Sequence, residues 1–291
     1  MGPSLSEKRA MSIQNVLITG CSSGIGLCLA QGLAARGYRV FATARKEEDV
    51  ATLLTHGLEA LQLDLADPAS IRQAADEVLR RTDGKLHALI NNGAYGQPGA
   101  VEDLSREVLR EQFETNLFGT HELTTQVLPF MRRQGCGRVI QIGSLLGYVA
   151  LPYRGAYNAS KHALEGLTDT LRLELHDSGI HVCLVEPGPV ASRFRANAYA
   201  MYRKRIGPEC SFHRDTYLKM EKRLTKKGPA APFTLPPEAV LKKVIHALES
   251  PRPKIRYRVT FPAHLFAFLR RVLPSRALDW VLRRVSRGEN K

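Results

Sequence analysis

The sequence predicts an α/β protein built on one doubly wound parallel sheet. Three observations carry that expectation. Short aliphatic runs alternate with stretches of helical spacing from residue 15 to residue 190. The runs are nearly continuous in apolar residues, as strands covered on both faces must be. The first strand-to-helix junction is a loop made almost wholly of Gly and Ser.

The elements follow in order. NVLIT (15–19) is a strand, and IGLCLAQGLAAR (25–36) is a helix with Ile25, Leu29 and Leu33 on one stripe, closed by Gly37. RVFAT (39–43) and LEALQLD (58–64) are strands, and 68–81 is the next helix. LHALINN (86–92) precedes a long helical stretch over 104–130, and GRVIQIGS (137–144) precedes another over 156–178. IHVCLVEPG (180–188) is a strand, 236–250 a helix opened by Pro237 and Glu238, and 255–259 a last strand. Right-handed crossovers then place helices on both faces of the sheet.

Composition narrows the function classes. With 291 residues, 44% of them hydrophobic, the chain supports one domain with an extension. Its five cysteines are scattered without a CxxC pair, which points to reduced thiols and neither a disulfide framework nor a metal site. MGPSLSEKRAMSIQ at the start lacks the apolar core of a signal peptide, and no run of apolar residues is long enough to span a bilayer. The expected location is therefore cytoplasmic. Charge is uneven: residues 1–192 carry a net −3 and residues 193–291 a net +17. Such a basic flank suits nucleic acid, anionic lipid, an anionic ligand, or solubility alone.

The loop at 20–26 reads GCSSGIG. Backbone N–H groups at a helix N-terminus favour a pyrophosphate, and glycine lets the main chain approach it. No Lys-Ser/Thr follows, which removes a nucleotide-hydrolysing P-loop. At the end of the second strand, where an acid would hold the ribose of NAD, stands Ala44, followed by Arg45 and Lys46. Arg45 pairs well with a 2′-phosphate, and Ser22 offers a further donor, so NADP(H) is expected over NAD(H).

Tyr157 and Lys161 lie at i and i+4, on one helix face. An ammonium beside a phenol favours the phenolate and lowers its pKa, which would make Tyr157 a general acid or base. Taken alone, such a pair is mostly a surface pair. Ser144 ends a strand, where α/β folds place ligands; it reads equally as a turn serine. Asn116 interrupts an otherwise apolar helix and must bond either backbone or water. LINNGAYG supplies a second close backbone approach beside the first.

Together, Thr19-Gly20-x3-Gly24-x-Gly26, Asn91-Asn92, Asn116, Ser144, Tyr157-x3-Lys161 and Pro187-Gly188 resemble the short-chain dehydrogenase/reductase (SDR) family, across about residues 14–195. TGCSSGIG, YNASKHALEGL and EPGPVASRF are similar to its 17β-hydroxysteroid-dehydrogenase-like and retinol-dehydrogenase-like branch, and the whole chain resembles bacterial NADP-dependent aldehyde and ketone reductases of that branch. The resemblance implies a Rossmann fold and roles for the matching positions. Tyr157 would protonate the substrate oxygen and Ser144 polarise it. Lys161 would hold the nicotinamide ribose and tune the tyrosine, and Asn116 would seat a relay water. Gly20, Ser22, Ser23, Gly24, Ile25 and Gly26 would surround the pyrophosphate and adenosine ribose. Asp64 and Leu65 would bracket the adenine, with Asn92 and Gly93 on the adenosine side. Pro187, Gly188, Val190 and Ser192 would line the nicotinamide. One departure is the order Gly93-Ala94 where the family has Ala-Gly, expected to alter a backbone contact to the cofactor; another is Ser192 in place of Thr.

The resulting layout is a polar tail (1–13), a cofactor and catalytic core (14–192), a substrate lid (193–235), the last helix and strand of the core (236–260), and a basic amphipathic extension (261–291). Pro274 splits the extension into two short helices. Residues 261–285 suit a roof over the pocket, a subunit interface, or peripheral contact with an anionic membrane. No nucleic-acid motif is present. The expected activity is reversible, metal-free reduction of an apolar aldehyde or ketone. The alternatives are a steroid or retinol dehydrogenase working oxidatively, and a non-catalytic NADP sensor. The resemblance further implies a homodimer or homotetramer joined through the helices that carry Asn116 and Tyr157.

Overall fold

The computed structural model describes residues 14–229 and 231–289, so the polar tail assigned to 1–13 lies outside the described residues. Among the described residues, seven parallel strands form one sheet: β1 (Asn15–Ile18), β2 (Arg39–Ala44), β3 (Glu59–Gln62), β4 (Ala88–Asn91), β5 (Gly137–Ile142), β6 (Ile180–Pro187) and β7 (Arg256–Val259). Their order is β3-β2-β1-β4-β5-β6-β7. The winding reverses between β1 and β4, so the crevice beyond the carboxyl ends of these two strands is where a ligand fits.

The helices are α1 (Gly24–Ala35), α2 (Glu47–Thr55), α3 (Pro68–Arg81), α4 (Arg106–Phe113), α5 (Gly119–Gln134), α6 (Gly155–Glu174), α7 (Phe194–Arg205), α8 (Arg214–Thr225), α9 (Glu238–Glu249), α10 (Phe261–Val272) and α11 (Ser275–Glu289). Local chemistry sets several boundaries. The Asp67 carboxylate accepts from the Ala69 N–H at 2.9 Å, and Pro68 opens α3 with a pre-set φ. Gly135, at φ 68°, closes α5 in the left-handed region.

Alternate strand residues feed two cores. Val16, Ile18, Val40, Ile90, Ile140 and Val185 face α1 and α9, whereas Leu17, Phe41, Leu89, Val139 and Val182 face α3 and α5. Each buried aliphatic side chain contributes about 1.5–3 kcal/mol, which is why these strands read as unbroken apolar runs. A third cluster joins Ala156 to Tyr202 of α7 and to Tyr217, Met220 and Leu224 of α8. A fourth packs Leu145, Leu146, Tyr148, Val149 and Leu151 against Ala263, Phe266 and Leu282 of the C-terminal helices.

The long helix expected over 104–130 is interrupted. Residues Glu114–Phe118 form a π-helical turn between α4 and α5, and α5 continues past Pro129 to Gln134. One extra residue in the turn re-aims Asn116 inward, a use to which such turns are put at functional sites. The helices α2, α7 and α8 did not stand out in the sequence. Glu47, Glu48 and Asp49 in the first turn of α2 were the signal available for it.

Candidate active site

The loop after β1 is tied to both neighbouring strands. The Thr19 N–H donates to the Ile90 carbonyl at 3.0 Å and the Cys21 N–H to the Thr43 carbonyl at 2.7 Å. Asn92 pins the loop from the other side, its side-chain N–H groups reaching the Thr19 and Gly20 carbonyls at 2.9 and 3.0 Å. A Cβ on Gly26 would stand 2.1 Å from the Gly20 carbonyl oxygen and 2.6 Å from Asn92 Nδ2, so only glycine lets α1 start this close to β1. Ser23, extended at the N-cap, spends no side-chain bond on capping the helix.

This loop opens onto a cavity of about 700 Å³, lined also by Asn92, Gly93, Ser144, Tyr157, Lys161, Pro187, Gly188, Val190 and Ser192. Ser22, Ser23, Gly24, Ile25 and Gly26 all face it. The structure thus brings together most residues singled out in the sequence. Arg45, Asp64, Leu65 and Asn116 do not line it. Arg45 is exposed just beyond β2, on the strand end to which Cys21 is bonded. Asp64 accepts from the Ala66 N–H at 2.9 Å in a local turn, and Leu65 is buried.

The expectation for the exchanged Gly93-Ala94 pair takes a specific form. A Cβ on Gly93 would meet Leu65 at 2.8 Å and Thr19 Oγ1 at 3.2 Å, and the Gly93 N–H donates to Thr19 Oγ1 at 2.8 Å. Glycine is therefore required at 93 by this chain's own Leu65, and the Ala94 methyl lines the cavity.

Asn116 is 1% exposed and committed to protein. Its Oδ1 accepts from the Tyr95 N–H at 3.1 Å, and Nδ2 donates to the Tyr95 carbonyl at 2.9 Å and to Ser160 Oγ at 3.1 Å. Between the two sequence readings, backbone or water, backbone is what the structure shows. One lone pair of Oδ1 is left over.

Ser144 follows β5, and its hydroxyl accepts from the Leu146 N–H at 3.1 Å while hydrogen-bonding with the Tyr157 phenol. Tyr157, half-buried, packs edge-on against Phe194 of α7, ring centroids 5.3 Å apart. Lys161 sits one turn further along α6, 3% exposed, with Nζ donating to the Ile142 carbonyl at 2.8 Å and lying 5.8 Å from the Tyr157 ring centre.

One electrostatic expectation is corrected here. Lys161 does not pull the Tyr157 phenol toward neutrality. Burial pushes the phenol up to about 12, opposed by the Ser144 hydrogen bond. Burial also pulls Lys161 down to about 8, opposed by the Glu165 carboxylate. The sequence could show the i, i+4 spacing, but it could not show how deeply Lys161 is buried.

Lys161 therefore costs stability. Its folded pKa, about 8, lies below its ordinary 10.5. Below pH 8 both folded and unfolded forms are charged and the burial penalty is complete; it is relieved as pH rises from 8 toward 10.5. Lys161→Met is expected to stabilise the fold by about 2 kcal/mol at pH 7, with the gap to wild type closing by pH 10. Thermal unfolding at both pH values checks this; a variant less stable at pH 7 would show that the ammonium's bond to Ile142 outweighs its burial.

Gln97, Arg154, Arg193, Phe194, Arg195 and Arg223 also line the cavity and were not singled out as site residues from the sequence. Their one available signal was position, since most follow Pro187-Gly188 in a stretch rich in Arg. Among the described residues the lining includes five cationic side chains and no Asp or Glu.

A doubly wound sheet with a glycine loop at its switch point, and a Ser–Tyr–Lys group at the mouth of the adjacent strand, defines a dinucleotide-dependent oxidoreductase. The chain belongs to the short-chain dehydrogenase family, whose model matches residues 14–203. It is 42% identical over 269 residues to the uncharacterized oxidoreductase YbbO of Escherichia coli (strain K12), covering 92% of this chain and 94% of that one. It is 35% identical to 17-beta-hydroxysteroid dehydrogenase type 1 of Homo sapiens, covering 84% and 77%. An actinorhodin polyketide ketoreductase solved with NADPH superposes with a TM-score of 0.70 at 30% identity, covering 85% of this chain and 95% of that one.

Among the described residues no helix is long and apolar enough to cross a membrane.

Proposed function

We propose that the protein is an NADP(H)-dependent reductase of apolar aldehydes or ketones. The observation that carries this reading is the Ser144–Tyr157 hydroxyl pair standing over Lys161 at one end of the glycine-loop cavity. The cavity fits the cofactor: among the described residues it is lined by cations and no carboxylate, and the uncapped start of α1 suits a polyanion. The NADPH seen with the similar ketoreductase supports the same choice.

Ser22 and Ser23, which line the cavity, would donate to phosphate oxygens, Asn92 holds the loop in shape, and Val190 and Ser192 would face the nicotinamide. Asp64 and Leu65, at the end of β3, are assigned the adenine side. NADPH, when bound there, would supply a hydride to the carbonyl carbon. Tyr157 gives its proton to the oxygen, and Ser144 donates to that same oxygen as negative charge grows on it. A phenol held near 12 is fully protonated at pH 7, which is the state a general acid for reduction needs. Lys161, charged below pH 8, holds the ribose and returns protons toward Tyr157, with the spare lone pair of Asn116 available to a relay water.

The test is the loss of nicotinamide absorbance with NADPH and NADH against a panel of medium and long-chain aldehydes, aromatic aldehydes, retinal and keto-steroids. NADPH consumed well above NADH supports the reading. Preference for NADH would overturn the cofactor assignment, and binding without any turnover would overturn the reductase. Within the same assay, Arg45→Ala is expected to weaken NADPH by about 10- to 100-fold, the worth of one charge-assisted bond, and to leave NADH unchanged. Equal weakening of both cofactors would remove Arg45 from 2′-phosphate recognition.

A further inference from the structure

The C-terminal helices bury one face and leave the other uncovered. Ala263 and Phe266 of α10 pack inward with Leu282 of α11 against the loop that follows Ser144. On the opposite side of α10, Phe261, Leu265, Phe268 and Val272 recur at helical spacing and stand 56, 37, 61 and 55% exposed. Four large apolar side chains in one solvent-facing stripe are not a monomer's ordinary surface.

The outward face of α11 is different in kind. Trp280, 59% exposed, has Arg276 one turn before it, Arg283 and Arg284 one turn after, and Arg287 two turns after. The Arg284 guanidinium lies 5.7 Å from the Trp280 ring. The stripe also reaches the cavity. Phe233, 59% exposed and held at φ 58°, packs on Phe261 with ring centroids 5.0 Å apart. Its neighbours Pro229, Ala231 and Thr234 line the cavity mouth. A bulky residue at positive φ is strained, and here the strain turns an aromatic ring outward beside the entrance.

We infer that this face docks on an anionic lipid bilayer, with the α10 stripe and Trp280 in the acyl–headgroup boundary and the arginines on the headgroups. Charge selects this occupant. A second copy of the chain would bring the same arginines face to face, and nucleic acid would leave four apolar side chains in water. A bilayer with anionic lipid satisfies both sets together. Apolar carbonyl compounds dissolved in that bilayer then meet the cavity mouth at the Phe233–Phe261 pair without crossing bulk water.

Trp280 is the single tryptophan of the chain, so its fluorescence reports on this face alone. The full-length protein is titrated with phosphatidylcholine vesicles carrying phosphatidylglycerol as about a third of their lipid, and with pure phosphatidylcholine vesicles. The expected result is a blue shift and co-sedimentation with the first, little with the second, and release as salt is raised. Arg276→Glu/Arg283→Glu/Arg287→Glu, all on the exposed side, is expected to weaken vesicle binding by at least about a hundredfold. Phe261→Ser/Phe268→Ser keeps the charge and is expected to lose the blue shift. Reduction of a short, water-soluble aldehyde stays unchanged in the arginine variant, which keeps this test separate from the assignment of the reaction. No shift with anionic vesicles overturns the inference. So does a blue shift that follows protein concentration without lipid, which would mean that a second copy covers the face, or equal binding by the two vesicle types.

Discussion

Tyr157→Phe is expected to reduce carbonyl turnover by about a thousandfold while NADPH binding stays within a few-fold of wild type. The ring survives the change, so the edge-on contact with Phe194 and the wall of the cavity survive with it. What disappears is the O–H that bonds with Ser144 and delivers the proton. Ser144 still bonds the Leu146 N–H, which keeps the loop after β5 in place. Single-turnover kinetics beside a binding titration separate the two effects. Activity within tenfold of wild type would transfer the acid role elsewhere and with it the mechanism proposed here.

Gly26→Ala is expected to be the most damaging single-methyl change in the cofactor loop. The added carbon would sit 2.1 Å from the Gly20 carbonyl oxygen, a backbone atom with no room to retreat, because the loop is bonded to β4 through Thr19 and to β2 through Cys21. Either α1 shifts away from β1 or the loop opens. Overpacking of this kind costs about 1–3 kcal/mol, and more where backbone must move. The same displacement carries Ser22, Ser23 and the start of α1 away from the phosphates, so NADPH affinity is expected to fall by at least a hundredfold, a loss of about 3 kcal/mol or more. Denaturant unfolding and a titration with NADPH check the two halves of this expectation. A variant with normal affinity would show that the loop has slack the hydrogen bonds do not suggest.

The legible parts of the molecule are those ruled by short-range periodicity. Apolar runs mark β1 to β6 within a residue or two, because both sheet faces are covered and the central strand positions are buried. Glycine spacing located the crevice, since a side chain at 26 would strike the Gly20 carbonyl and one at 20 would strike the backbone of Gly93 after β4. The site residues near it in sequence terms, Ser144, Tyr157 and Lys161, were placed by their position at a strand end and on one helix face. Three things were hidden. The π-helical turn at Glu114–Phe118 leaves no mark in hydrophobic spacing, because it is imposed by the bonds Asn116 makes to residues 95 and 160. The pKa of Tyr157 depends on burial, a property of the assembled fold around it. The helices α7 and α8 pack through Tyr202 and Tyr217 on the loop near residue 100, long-range contacts that a basic, Pro-rich stretch does not announce.

The buttress behind the loop that follows Ser144 bears on how the protein is made. Tyr148 Oη donates to the Ala263 carbonyl at 2.6 Å, and Arg270 donates to the Tyr148 carbonyl at 2.5 Å, spanning more than a hundred residues of chain. On the other side, Leu241 of α9 fills the space beside Gly32 of α1, and Glu249 pairs with Arg36 at its end. Both halves of the pocket thus rest on segments that leave the ribosome after the residues assigned to the reaction. A nascent chain that has reached residue 235 carries every residue assigned to the reaction and has neither back wall in place, so the pocket assembles only once residues 236–272 have followed.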